Sequence, residues 1–105
     1  MLKFKTLAAA AAMSFALAVP VLAADHAVAI QGMKFVPANI EVAVGDTITF
    51  TNMDAAPHTA TANDGSFDTG RLGKGDSAQV TIGAAGTFDY ICKIHPAMKG
   101  QVVAN

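Results

Sequence analysis

After its first two dozen residues, the chain never holds apolar residues at helical spacing over three turns. They return instead at every second position, in short runs separated by turn residues. Ile40, Val42 and Val44 alternate with other residues in Asn39 to Val44, and Ile48 and Phe50 do so in Thr47 to Thr51. Gly45-Asp46 stands between these two runs, and the pair is expected to form a hairpin. Ala78, Val80 and Ile82 alternate in Ser77 to Ile82, and Phe88, Tyr90 and Cys92 share one face of Thr87 to Cys92. Ala27 to Ile30, with Val28 and Ile30 on one face, and Gln101 to Val103 are shorter strands of the same kind. Each such strand has one apolar face to bury, and two sheets packed together bury them all. The expected fold is all-β, a β-sandwich.

The connections carry different information. Asn52 to Pro57 is polar and irregular, as befits a loop that delivers His58 to a site. Asn63 to Asp76 is rich in turn residues, and its isolated Phe67 and Leu72 are expected to anchor it onto the core. Met33 and Met53 read as core filler. Tyr90, two residues before Cys92, resembles the tyrosine corner of Greek-key sandwiches.

The N-terminal segment is of another composition. Met1 to Lys5 carries two lysines, Thr6 to Val19 is an apolar, alanine-rich run, and Val21-Leu22-Ala23 places small residues at a cleavage site. Residues 1–23 are expected to be a cleavable signal peptide, too short for a comfortable membrane span, followed by one domain at 24–105. Both lysines at positions 3 and 5 would leave with it. Five Lys and Arg then face eight Asp and Glu, a net charge of −3 with His neutral, so no basic surplus remains to grip nucleic acid. Export also exposes the chain to oxidising conditions, where its single cysteine cannot form an internal disulfide. A small domain of this kind needs a staple, and a metal can supply one.

Cys92-Lys93-Ile94-His95-Pro96-Ala97-Met98 holds that cysteine, a histidine and a methionine at two-residue gaps. A thiolate, an imidazole and a thioether can therefore converge from one loop. Soft sulfur with imidazole suits copper, in the arrangement of two His and one Cys under a long axial Met. The loop lacks one histidine, and His58 after Pro57 is the candidate. Singly, Met98 suits a core, either histidine a surface, and Cys92 a buried thiol; their joint order is what points to a metal. Zinc is poorly served by a thioether. Haem attachment needs two cysteines before its histidine. A nucleophilic Cys-His pair would leave Met98 idle and has no third orienting group.

This pattern resembles the cupredoxins, amicyanins first and plastocyanins next, over about residues 28–103. The resemblance rests on Pro57-His58, on Gly86-Thr87-Phe88-Asp89-Tyr90 leading into Cys92, on His95 and Met98, and on Gly65-Ser66-Phe67 and Met98-Lys99-Gly100. It implies a Greek-key cupredoxin sandwich binding one copper per chain, Cu(I) or Cu(II), through His58, Cys92, His95 and Met98. It implies a blue-copper carrier of single electrons in the periplasm rather than an enzyme. Its partners would be redox proteins, a dehydrogenase or a c-type cytochrome, met by a monomer without a membrane anchor. They would approach where His95 reaches the surface beside Pro57, Ile94, Pro96 and Ala97. Copper oxidases and nitrite reductases add histidine-rich catalytic copper, for which only His26 would be left. The rival function is a periplasmic copper carrier that hands over metal rather than electrons.

Three positions depart from the resemblance. Lys93, Ile94 and Thr59 stand where amicyanins and plastocyanins usually have Ser or Thr, Pro, and Asn, so the groups around the cysteine sulfur cannot be carried over. Ile94, unlike proline, has an amide that could reach that sulfur. At the other extreme of the domain, cleavage after Ala23 would expose Ala24-Asp25-His26, whose nitrogens could chelate Cu(II), against the plainer reading of a frayed polar end.

Overall fold

The computed structural model describes residues 22–105, so that all of the expected signal segment except Leu22 and Ala23 lies outside the described residues. Eight strands make two sheets: β1 (Asp25–Ile30), β2 (Phe35–Val36), β3 (Asn39–Val42), β4 (Thr47–Asn52), β5 (Thr61–Ala62), β6 (Ser77–Thr81), β7 (Gly86–Ile91) and β8 (Lys99–Ala104). One sheet has the order β2-β1-β4-β6 and the other β3-β8-β7-β5. The alternating residues meet between them. Val28, Ile30, Val42, Ile48, Phe50, Val80, Ile82, Tyr90 and Val102 are all buried there. Phe35, Phe50 and Phe67 gather around Tyr90 with ring centroids 4.6, 5.5 and 5.7 Å from its own. Phe67 and Leu72 are buried, and they anchor the long connection as expected.

Four expectations are corrected. The runs on either side of Gly45-Asp46 are not a hairpin: β3 pairs in parallel with β8, whereas β4 pairs with β1 and β6 in the other sheet. The turn exists, with the Asp46 amide donating to Ala43 O at 3.0 Å, but it carries the chain from one sheet to its facing partner. Alternation names the inward face of a strand, and two facing sheets bear the same pattern as two paired strands. Val44 consequently lies beyond the end of β3 and is 46% exposed rather than inward.

Met33 and Met53 are not core filler. They are 44% and 53% exposed, because both stand in connections beyond the strand ends, Met33 at a positive φ of 62°. Tyr90 is not a tyrosine corner, since its buried hydroxyl has no hydrogen-bond partner among the described residues. Its ring takes the space above Gly100, where an added Cβ would lie 2.2 Å from it, and burial raises the phenol pKa.

His26 is neither a frayed end nor free for chelation. It lies in β1, paired with Ile48 of β4, and its Nε2 is 2.9 Å from Asp46 Oδ2. The same carboxylate accepts the Ala24 amide and the Ala43 amide, each at 2.9 Å. These bonds, the Ala24 amide first, then His26 and Ala43, depress the Asp46 pKa to about 2.

Candidate metal centre

The strand β7 runs into Cys92 at the end of the sandwich opposite Asp46. From there the chain turns back on itself: the Met98 amide donates to His95 O at 2.9 Å and the Cys92 amide to Met98 O at 3.2 Å. Those two bonds close a short loop that returns into β8. It holds Cys92 and Met98 in the interior and leaves His95 half-buried.

His58 comes from the other direction. β4 ends in Asn52, which is buried. Its amide side chain donates to Ala56 O and Leu72 O at 2.9 Å and accepts the Asp54 amide at 2.9 Å. One side chain thus folds the whole 52–58 loop. His58 then exchanges backbone hydrogen bonds of 3.0 and 2.7 Å with Leu72, which seats it, fully buried, above the core.

Three of the four expected site atoms converge. Cys92 Sγ lies 3.7 Å from His58 Nδ1 and 3.9 Å from His95 Nδ1, and the two Nδ1 atoms are 3.2 Å apart. A point equidistant from all three lies about 2.1 Å from each, close to the roughly 2.0–2.1 Å and 2.3 Å bonds of a first-row ion such as zinc to imidazole and thiolate. The donor set of one thiolate and two imidazoles is therefore of a size and chemistry that would hold a first-row transition metal. With a buried thioether at Met98 on the same loop, the chemistry matches copper.

Asp54, unrecognised in the sequence, orients one of these donors. Its Oδ2 is 3.0 Å from His58 Nε2. A carboxylate only accepts, so the ring proton sits on Nε2 and the Nδ1 lone pair faces Cys92 and His95. Asp54 is itself fixed by the amides of Met33 and Gly32, both at 2.9 Å, which with the His58 bond hold its pKa below the usual carboxylate range. The spacing of four residues from Asp54 to His58 is visible in the sequence. Nothing there separates it from any loop carboxylate.

The substituted positions around the sulfur are linked in another way. The amide bonded to Cys92 Sγ is that of Thr59, at 3.3 Å; Ile94 makes no such bond among the described residues. The Thr59 hydroxyl accepts the Lys93 amide at 2.9 Å and donates to Thr61 Oγ1 at 3.0 Å, and Thr61 donates to Asp68 at 3.0 Å. The acceptor-only carboxylate at the end of the chain sets the direction of every proton in it. Asp68 also meets Lys93 Nζ at 3.3 Å, so a threonine and a lysine cooperate to brace the loop.

Comparison with known proteins agrees with this geometry. A family model described as a cupredoxin-like domain matches residues 5–104. Amicyanin-alpha of Methylorubrum extorquens is 36% identical over 81 residues, which is 72% of this chain and 68% of the relative. Amicyanin of Paracoccus denitrificans is 36% identical over 92 residues, 76% of this chain and 66% of the relative. The solved structure of the Cu(I) form of an amicyanin mutant superposes with a TM-score of 0.73 at 34% identity, covering 81% of this chain and 86% of that one. Two facing sheets, a Cys-His-His cluster between loops at one end and these similarities lead to one conclusion: the chain belongs to the cupredoxins, the blue copper proteins, with amicyanins and plastocyanins as its relatives.

Proposed function

We propose that this protein is a type 1 copper electron carrier, in which His58, Cys92, His95 and Met98 would hold the metal. Copper bound there would supply a single electron by passing between Cu(II) and Cu(I). The chain's part is to keep the ligands still. Asp54 holds the His58 ring, the Thr59 amide holds the Cys92 sulfur, and the loop-closing bonds of Met98 fix the relation of Cys92 to His95. A ligand set that does not move between oxidation states avoids reorganisation at the moment of transfer, and burial of Cys92 and His58 excludes water.

The observation that carries this reading is the small triangle formed by the two Nδ1 atoms and the sulfur. His95 is the half-buried member and stands beside exposed Ile94, Pro96 and Ala97, which makes it the route for the electron to a redox protein, a dehydrogenase or a c-type cytochrome. The working form is residues 24–105, a monomer exported to the periplasm. It performs no catalysis of its own.

Adding cupric ion should give an intense blue absorption that reductant bleaches and oxidant restores, and Cys92→Ser should abolish it. An undiminished band in Cys92→Ser would overturn the ligand assignment. Colourless binding of cuprous ion alone would identify a metal-delivery protein instead.

A further inference from the structure

The described residues contain five cations, Lys34, Arg71, Lys74, Lys93 and Lys99, and all are exposed at the metal end of the sandwich. Lys34 closes the turn whose Gly32 and Met33 amides bind Asp54. Arg71 and Lys74 adjoin Leu72 and Gly75, which bond back to His58 and Asn52. Lys93 follows Cys92, and Lys99 follows Met98.

The carboxylates are distributed otherwise. Asp54, Asp68 and Asp76 share the metal end, where five cations against three carboxylates leave a surplus of two positive charges. Asp54 is turned onto His58, and Asp68 is paired with Lys93. The other five are Asp25 at the start of β1, Glu41 in β3, Asp46 in the far turn, Asp64 after β5 and Asp89 in β7, of which Asp89 comes nearest a cation, its partner Gln101 standing two residues along β8 from Lys99. A chain of negative net charge therefore presents a positive face around its metal site.

Folding does not account for this arrangement. Among the described residues only Lys93 of the five has an ion-pair partner, and collecting the rest at one end costs mutual repulsion. Between the charges lie exposed Met33, Met53 and Ile94, flexible thioethers and an aliphatic group able to adapt to a partner. Charges that steer around an apolar centre that seals are the parts of a transient docking face.

We propose that the metal end docks on redox partners whose electron-exchange face carries surplus carboxylates, with Lys34, Arg71, Lys74, Lys93 and Lys99 as the steering charges. This rests on the electron-carrier reading above, and the two can fail separately.

The docking face is tested by NMR on the reduced, diamagnetic protein with hexacyanochromate(III), a redox-inert paramagnetic trianion, and hexaamminechromium(III), the corresponding trication. The trianion should broaden amides at Lys34, Lys74, Lys93 and Lys99, an effect lost at about 0.2 M salt, where the screening length falls to several ångströms. The trication should act around Asp25, Glu41 and Asp64. Lys34→Glu with Lys74→Glu should weaken the trianion effect several-fold, whereas Glu41→Lys should leave it unchanged. Trianion broadening no stronger at the metal end than elsewhere would overturn the proposal.

Stopped-flow kinetics test the carrier reading beside it. The reduced protein should give one electron to hexacyanoferrate(III), forming hexacyanoferrate(II), at a rate that falls several-fold with added salt. With tris(phenanthroline)cobalt(III) the rate should rise. Rates independent of salt with both oxidants would overturn the docking proposal. Failure to reduce either oxidant, with the NMR pattern intact, would overturn electron transfer while leaving the anion-binding face in place.

Discussion

The two ends of the sandwich use one device for different purposes. At each, an aspartate carboxylate takes a histidine Nε2 and two backbone amides: Asp54 with His58, Gly32 and Met33 at one end, Asp46 with His26, Ala24 and Ala43 at the other. The Asp46 clasp ties the first strand to the turn that crosses between sheets, and its histidine has no further assigned role. The Asp54 clasp also ties down a neighbouring turn. Its histidine differs in having a second nitrogen within 4 Å of a cysteine sulfur and of another imidazole. A carboxylate-oriented histidine is therefore a structural fastening by default, and it belongs to a metal centre only where other donors converge on its free nitrogen.

Exchanging the histidines tests that distinction most severely. His58→Ala should eliminate the blue band altogether, while His26→Ala should keep its full intensity per bound copper; equal loss in both absorption spectra would break the comparison. Removing the carboxylates should have a smaller, graded effect. Asp54→Ala should weaken copper binding by about 10- to 100-fold, the usual consequence of losing a ligand's orienting partner, and Asp46→Ala should leave affinity nearly unchanged, as measured by competition with a chelator of known strength. Should Asp46→Ala weaken binding equally, the ends would be coupled through the sandwich.

Thr59→Val sharpens the contrast on the metal side alone. It strands the Lys93 amide and cuts the link to Thr61 and Asp68, and denaturant unfolding of the apoprotein should show a loss of about 1–3 kcal/mol, the cost of an unpaired buried polar group. Its blue band should persist, because the bond to the sulfur comes from the Thr59 backbone. A variant as stable as the parent would show that water replaces the hydroxyl.

Acid should produce the smallest effect and should act at the far end as well. The Asp46 pKa is lowered from 3.8 to about 2 on folding. Its contribution is therefore complete above pH 3.8 and disappears as pH falls toward about 2, where the folded form also takes up the proton. Apoprotein stability should fall less steeply across that window in Asp46→Asn than in the parent. Identical slopes would mean that Asp46 does not differ between folded and unfolded chains. Asp54, whose pKa is also depressed, should add a similar dependence that Asp54→Asn removes.

Much of the site was legible because ligand chemistry is carried by residue type. Cys92, His95 and Met98 are held by one short loop, and no other cysteine competes for the role. His58 was recognised through Pro57 and the loop before it. Asp54 and Asn52 carry no such signal, and Thr59 shows only as a departure from the relatives, since each acts through a bond to a partner whose position follows from the meeting of separate segments. The even alternation of Ser77 to Ile82 and of Thr87 to Cys92 likewise showed which residues are buried. It could not show which strands pair.

What the sequence by itself determined is the all-β class, most of the inward faces and a set of residue types that suit copper, because periodicity and side-chain chemistry are local properties. Only the tertiary structure decided that Gly45-Asp46 turns between sheets and that Tyr90 spends its burial on packing over Gly100. It also decided that Met33 and Met53 face solvent and that five scattered cations share one end. Each of these depends on which distant segments lie side by side, and pairing of β-strands is chosen by the packing of the whole sandwich rather than by any one of them.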